Sequence, residues 1–490
     1  MIKKVAYPLL LLAGLSVMTS VAQQRAPKKK YNVLFLISDD LRPEIGPYTS
    51  AGIKTPNIDK IAARGMRFDN AYAQYPVCNP SRSSFLTGRY PTQDGVMDNN
   101  TYFRRIHPEY VTLPQYFMNN GYVSLRSGKI FHGGIDDQVS WTEGGEPTNP
   151  RITERSNRDT QSPNAGNANR ARAAAAPKNA YGQSPSAAAS DRIIVLDGDG
   201  ETHGDYITAT KGIELMDKYK DGDKPFFLAV GFVKPHSPPT APKKFFDMYD
   251  LNKIPLPVDY ATDPKAPPGF PPISIATTNS DLFIGRPSTP ESAREMKRAY
   301  WASTSFMDEQ LGRVMDALKR NKLEDNTIVV FFGDHGYHLG EKGKWSKGYS
   351  LYELGLRVPL IVALPGAKAQ HTTQIVSLFD LYPTLAELCG LPKPEGQEGH
   401  SFVAQLKNPK ANRDFPSYAV VDYKGKTGKS VRTKRWHYVE WTEGKDGMML
   451  FEHPKDSLEL KNLATDPAYD KTIQEMKGLL KLMPDTRKVN

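Results

Sequence analysis

The sequence predicts an α/β protein, with a large mixed, mostly parallel sheet flanked by helices and a smaller C-terminal α+β subdomain. Three observations carry this. Short continuous apolar runs, such as 33–38 and 327–332, alternate with segments of helical period, such as 206–219 and 291–320. That is the pattern of strands buried on both faces. Several of these runs end in acids or histidines. After about residue 400 the texture changes to short, closely spaced strands. The 490 residues exceed what one small core needs, and 38 glycines and 39 prolines suit a loop-rich enzyme better than a bundle.

The N-terminus comes first. Lys3 and Lys4, the apolar run Val5 to Met18, and the small residues Ser20-Val21-Ala22 before Gln23 predict a signal peptide over 1–22. A membrane anchor is the competing account, but the run is short for a bilayer. No cysteine follows it to carry a lipid, and no second stretch is apolar enough to span. An exported protein, periplasmic or secreted, is expected.

Residues 33–38 are a buried strand running into Asp39-Asp40. Residues 57–65 form a helix closed by Gly65, with Ile58 and Ile61 on one face, and Leu113 to Asn120 repeats the pattern before Gly121. Residues 150–191, rich in Ala, Asn, Ser, Pro and Arg, have no period and predict a low-complexity surface insertion. Order returns with a helix over 206–219 and a strand over 226–232 that leads to Lys234-Pro235-His236. A long amphipathic helix covers 291–320, and the strand 327–332 ends in Gly333-Asp334-His335-Gly336. Pro359 to Leu364 is a strand and Phe379 to Leu388 a helix. A catalytic domain over 30–395 is expected. The stretches 418–422, 430–433, 436–441 and 449–452, with a helix over 468–482, form a second unit over 400–490.

Ligands of such sheets gather at the carboxyl ends of the strands. Asp39-Asp40, His236 and Asp334-His335 all fall there. The carboxylates offer hard oxygens that suit calcium or magnesium; the plainer account is that Asp40 caps a turn and Asp39 is solvated. The net charge of +10 favours an anionic partner. No nucleic-acid motif occurs, and export points to an acidic polysaccharide over nucleic acid or anionic lipid, although charge can also serve solubility alone. The two cysteines, Cys78 and Cys389, are expected unpaired, though an exported chain could join them. Cys78 opens Cys78-Asn79-Pro80-Ser81-Arg82, followed by Leu86-Thr87-Gly88-Arg89. Beside a helix start and an arginine it is either an activated thiolate or a structural thiol.

Cys-x-Pro-Ser-Arg followed by Leu-Thr-Gly-Arg resembles the signature of type I, formylglycine-dependent sulfatases. The resemblance covers nearly the whole chain after the leader and is nearest the iduronate-2-sulfatases. It includes Ser38-Asp39-Asp40-Leu41-Arg42-Pro43, Gly128-Lys129-Ile130-Phe131-His132, Lys234-Pro235-His236, Asp334-His335-Gly336 and Trp345-Ser346-Lys347. It implies an alkaline-phosphatase-like fold and a sulfuric ester hydrolase. Cys78 would be converted to formylglycine (3-oxoalanine) by a formylglycine-generating enzyme. One calcium ion would be held by Asp39, Asp40, Asp334, His335 and residue 78. Arg82 would hold the hydrated aldehyde, Lys129 and His132 would flank it, and His236 and Lys347 would meet the sulfate. His236 is expected to protonate the leaving alcohol. The implied substrate is a sulfated oligo- or polysaccharide carrying a 2-sulfated uronic acid, with Arg104, Arg105 and His107 as candidates for its carboxylate. Tyr337-His338 and the 150–191 insertion depart from the iduronate enzymes. A phosphate or phosphonate ester hydrolase of the same superfamily, a thiol hydrolase and a non-catalytic polysaccharide binder are the alternatives.

Overall fold

The computed structural model describes Met1 and residues 30–49, 52–147 and 189–485. Apart from Met1, the leader expected at 1–22 lies outside the described residues, and so does the insertion up to residue 188. The last insertion residue, Asp191, is buried, and its carboxylate takes the Nε and Nη2 of Arg286 at 2.8 and 2.7 Å. The end of the expected surface insertion is therefore anchored at Asp191.

Thirteen strands are present among the described residues: β1 (Asn32–Asp39), β2 (Met66–Tyr72), β3 (Val123–Gly128), β4 (Ile194–Leu196), β5 (Phe226–Pro235), β6 (Thr240–Pro242), β7 (Thr327–Gly333), β8 (Arg357–Ala363), β9 (Gln370–Ser377), β10 (Ser417–Tyr423), β11 (Lys426–Arg432), β12 (Trp436–Trp441) and β13 (Gly447–Glu452). Seven form one sheet in the order β3-β5-β1-β7-β8-β2-β9. β3, β5, β1 and β7 are contiguous and parallel, while β8 runs antiparallel to both neighbours. The sheet is thus mixed and mostly parallel, as the buried apolar runs predicted. β4 and β6 make a small parallel pair, and β10 to β13 form an antiparallel meander.

Three strands of the seven-stranded sheet, β2, β3 and β9, carry no clear sequence signal, and neither does the short pair β4 and β6. β2 and β9 are interrupted by register shifts in their pairing. β3 buries Ser124, Arg126 and Ser127, and β9 is half exposed at the sheet edge. Helices cover both faces; the longest is Pro290–Arg320. The expected 57–65 helix is the shorter Pro56–Ala62.

On one face Phe35 of β1 meets Phe332 of β7, with ring centroids 5.0 Å apart, and Phe85 meets Phe332 at 5.2 Å. Each buried ring contributes about 2 kcal/mol of burial, and together they fix the Cys78–Thr87 helix over the ends of β1 and β7. Pro80 is tolerated there because the first turn needs no intrahelical donor. Gly88 closes the helix in a left-handed conformation, φ 69°.

A buried ionic clamp joins the C-terminal sheet to the main one. Glu353 accepts from Tyr72 Oη (2.8 Å) and Arg432 Nε (3.1 Å). Glu459 accepts from the Glu353 backbone N–H at 2.7 Å and faces His437 Nδ1 at 2.5 Å and His453 Nε2 at 3.2 Å. Every carboxylate oxygen in this clamp has a protein partner. No helix among the described residues is long and apolar enough to cross a membrane.

Candidate active site

Because β3, β5, β1 and β7 are parallel neighbours, their carboxyl ends share one edge, and that edge gathers the predicted residues. Asp39 and Asp40 end β1, Lys129 follows β3, His236 follows β5, and Asp334 and His335 follow β7. Two glycines allow the close approach. A Cβ on Gly128 (φ 73°) would lie 2.2 Å from the Gly231 carbonyl, and one on Gly231 would lie 1.9 Å from the Lys129 carbonyl. The chain leaving β3 can therefore fold over β5 toward Asp39.

Asp39 is fully buried. Cys78 Sγ lies 3.3 Å from its Oδ1, and Lys129 Nζ contacts its Oδ2. Burial alone would raise this carboxyl, but Lys129, then His236 and Arg82, hold it well below the usual range. Asp40 adopts φ 63° and donates its N–H to Asp334 Oδ1 at 3.1 Å. Its Oδ2 accepts from Lys347 Nζ at 2.9 Å. Burial pushes Asp40 well up, against Lys347 and with help from Asp39. Its Oδ1 is buried with no hydrogen-bond partner.

Arg82 is completely buried. Nε donates to Asp334 Oδ2 at 2.9 Å, and Nη1 donates to the carbonyls of Lys129 (2.6 Å) and Ile130 (2.9 Å). Nη2 lies 3.8 Å from Asp39 Oδ1 and makes no hydrogen bond. His335 Nδ1 lies 3.0 Å from the Gly336 carbonyl and donates to it, which leaves the Nε2 lone pair facing Cys78 Sγ (3.3 Å), Asp40 Oδ1 (3.5 Å) and Asp334 Oδ2 (3.6 Å). Burial keeps His335 below the ordinary histidine value and hence neutral.

The donor set fits a cation. Ligand atoms of Asp39, Cys78, Asp334 and His335 lie within 4.8 Å of one another. The orphaned Asp40 oxygen and the Nε2 lone pair point into the same place, and carboxylate oxygens suit a hard ion such as calcium. Arg82 Nη2, an orphaned donor beside them, fits an anion.

The surroundings of Cys78 oppose the activation that a thiolate nucleophile needs. Burial, then Asp39, pushes its thiol well above the ordinary value. Neither cysteine is in a disulfide.

His236 Nδ1 donates to the Ser237 carbonyl at 2.7 Å, and its Nε2 lies 4.0 Å from Asp40 Oδ2. Burial and then Lys347 keep it well below the ordinary value. His132 is held to about 3 by burial and then Lys129, and its Nδ1 has no partner.

The structure does not support Arg104 as a carboxylate-binding residue. All five of its N–H groups are engaged, by both oxygens of Asp137, by Gln115 Oε1 and by the carbonyls of Pro108 and Tyr110. It is a strut for its own loop. His107 lies 3.1 Å from Glu109 and stacks on Tyr110, while Arg105 is exposed.

Sequence reasoning missed Asp281, whose Oδ2 lies 3.3 Å from Lys347 Nζ, and Tyr300, whose hydroxyl donates to the Asp40 carbonyl at 2.6 Å. Asp281 sits in a loop with no period or motif. Tyr300 is one apolar position among many on a long helix, so neither had a signal.

The sulfatase family profile matches residues 31–391. The chain belongs to the sulfatase family. This sulfatase also matches the C-terminal profile of N-sulphoglucosamine sulphohydrolase over residues 340–485. It is 34% identical over 450 residues to iduronate 2-sulfatase of Mus musculus, covering 82% of this chain and 77% of that protein. It is 27% identical to a Δ4,5-hexuronate-2-O-sulfatase of Bacteroides thetaiotaomicron, covering 95% and 91%. A phosphonate monoester hydrolase from Silicibacter pomeroyi shares the fold, with TM-score 0.70, 21% identity and coverage of 92% and 94%. The architecture is alkaline-phosphatase-like, and the protein is a sulfuric ester hydrolase.

Proposed function

We propose that this sulfatase removes 2-O-sulfate from uronic acid residues of a sulfated glycosaminoglycan or algal polysaccharide, using a formylglycine made from Cys78 and one calcium ion. The observation that carries the mechanism is the position of Cys78. Its Sγ stands at a helix N-terminus, 3.3 Å from both Asp39 Oδ1 and His335 Nε2. An oxygen nucleophile built on that residue would stand where Sγ does. The 2-O position rests on the two uronate 2-sulfatase relatives, and an anionic substrate suits the net charge of +10. Export to the periplasm or medium, with maturation by a formylglycine-generating enzyme, completes the proposal.

Asp39, Asp40, Asp334, His335 and residue 78 would hold the ion, which when bound would offset charge on the sulfate oxygens. A formylglycine at residue 78 would, as its hydrate, offer one hydroxyl as the nucleophile toward sulfur, with the ester alcohol as leaving group, and a second hydroxyl whose proton loss would expel sulfate and restore the aldehyde. Lys129 and Lys347 are held charged, since their carboxylate partners outweigh burial. They stabilise charge on the transferring group without reorganisation. Arg82 fixes Asp334 and keeps both N–H groups of Nη2 free for the nucleophile. His236 presents Nε2 toward Asp40 and Lys347. Burial and then Lys347 disfavour its charged form, so the proton it gives to the leaving alcohol has to be drawn in by the anionic substrate, which offsets Lys347.

Mass spectrometry of the Cys78 peptide from the native host tests the first step. A mass about 18 Da below that of cysteine is expected, together with turnover of a 2-O-sulfated uronate disaccharide. Intact cysteine in active protein would overturn the formylglycine mechanism. Turnover of phosphonate monoesters in preference to sulfates would overturn the substrate class.

A further inference from the structure

We infer that Asp281 is a positioning residue of this active site, holding the Lys347 ammonium at the sulfate position together with Asp40. The inference rests on the proposed role of Lys347. Lys347 is nearly buried, and its Nζ lies between two carboxylates, 2.9 Å from Asp40 Oδ2 and 3.3 Å from Asp281 Oδ2. An ammonium has three N–H groups. One is donated to Asp40 Oδ2, while Asp281 Oδ2, which makes no hydrogen bond, holds the ammonium as an ion-pair partner, and the remaining N–H groups are left for sulfate oxygens.

The two acids are not equivalent. Asp40 belongs to the cation-binding group, and its other oxygen faces His335. Asp281 lies outside every cluster of converging ligand atoms among the described residues. An ion that draws on Asp40 therefore leaves Asp281 as the undivided partner of the lysine.

The loop bearing Asp281 is built to serve this. Asn279 Oδ1 accepts from the Trp345 N–H at 2.8 Å, and its Nδ2 donates to the Gly343 carbonyl at 3.1 Å. The Leu282 N–H donates to the Trp345 carbonyl at 3.3 Å, and Phe283 packs on the Trp345 ring, centroids 4.8 Å apart. The hydrogen bonds fall on both sides of Asp281 and end two residues from Lys347. Carboxylate and ammonium thus ride on one packed unit.

The test is a double-mutant cycle on the full, matured protein, comparing wild type, Asp281→Asn, Lys347→Ala and the double variant. Substrate is 4-nitrophenyl sulfate, and inorganic sulfate binding is measured by calorimetry. Asp281→Asn keeps the side-chain shape and is expected to weaken sulfate binding and raise KM about tenfold, in the range for coupling between contacting charges. Its melting temperature should stay near that of wild type, and Asp281→Glu should recover part of the loss. In the Lys347→Ala background the same substitution should cost less than twofold. An equal loss in both backgrounds would overturn the inference, as would a loss explained by unfolding. A wild type that turns over no sulfate ester refutes the functional proposal instead. The sulfate-binding arm of the cycle, which needs no turnover, then still decides whether Asp281 acts through Lys347.

Discussion

Removing divalent cations separates what an ion does for the reaction from what it does for the fold. Each buried acid at the strand edge already has a cationic partner: Asp39 meets Lys129, Asp40 meets Lys347, and Asp334 meets Arg82. The metal-free edge is therefore close to charge balance rather than a cluster of repelling carboxylates. A bound ion present at 100-fold its dissociation constant adds about 2.7 kcal/mol to stability. For a chain of this length that is a shift of roughly 3 °C in the melting midpoint. On the proposed mechanism the reaction would depend on the ion far more, because Lewis-acid stabilisation of several kcal/mol corresponds to a loss of about 100-fold or more. The assay pairs thermal melting with turnover of 4-nitrophenyl sulfate, before and after EGTA, with calcium added back. The expected result is a nearly intact fold with little activity, restored by calcium. A fall in the midpoint beyond about 10 °C would show that the acids need the ion to stay together, against the charge pairing. Full activity in EGTA would remove the cation from the mechanism.

Three further outcomes follow from named contacts. Arg104→Ala should lower stability by about 3 kcal/mol, since Asp137 loses its cation, while KM stays within about twofold, as chemical denaturation and steady-state kinetics would show; a large rise in KM would restore Arg104 to the substrate site. Gly128→Ala should cost more than about 2 kcal/mol and lower kcat/KM, because the new Cβ meets the Gly231 carbonyl and displaces Lys129; wild-type melting and kinetics would refute the close approach. Glu459 is held well below the usual carboxylate range because His437 and His453 outweigh burial, so its contribution is fully present above the unfolded value near 4.3 and is lost as pH falls through the folded value. Glu459→Gln should therefore destabilise by about 3–5 kcal/mol at pH 7, with the gap to wild type narrowing below about pH 4, as denaturation at several pH values would show.

What was legible in the sequence follows from how local its cause is. Strands β1, β5 and β7 are continuous apolar runs buried on both faces, so their positions and the acids at their ends could be read directly. β3 could not, because its buried serines and the Nη1 of Arg126 find their partners elsewhere in the chain, such as Ser127 Oγ donating to the Thr208 carbonyl at 2.8 Å and Arg126 Nη1 to the Gly144 carbonyl at 2.9 Å. Arg104 looked like a free cation because nothing in its neighbourhood shows that Asp137, thirty-three residues on, will take it. Asp281 was invisible for the same reason. Its meaning comes from a lysine brought to it by the packing of Trp345.

The position of Cys78 depends on an element that the sequence hardly marks. β8 runs antiparallel to β7, and β2 runs antiparallel to β8. Two reversals restore the direction, so β2 ends at the same edge as β1 and β7. The Ala73 N–H donates to the Leu356 carbonyl at 2.9 Å as the chain leaves β2, and five residues later it reaches Cys78. Ser81 Oγ then donates to the Asp334 carbonyl at 2.5 Å and Arg82 Nε to its carboxylate. The helix start is thereby tied to the end of β7. An antiparallel strand within a parallel sheet would ordinarily interrupt a strand-end site. Here it is what lets a peptide three strands away from β1 return and place residue 78 between Asp39 and His335. A change that shifted the register of β8 would move residue 78 while leaving every acid in place.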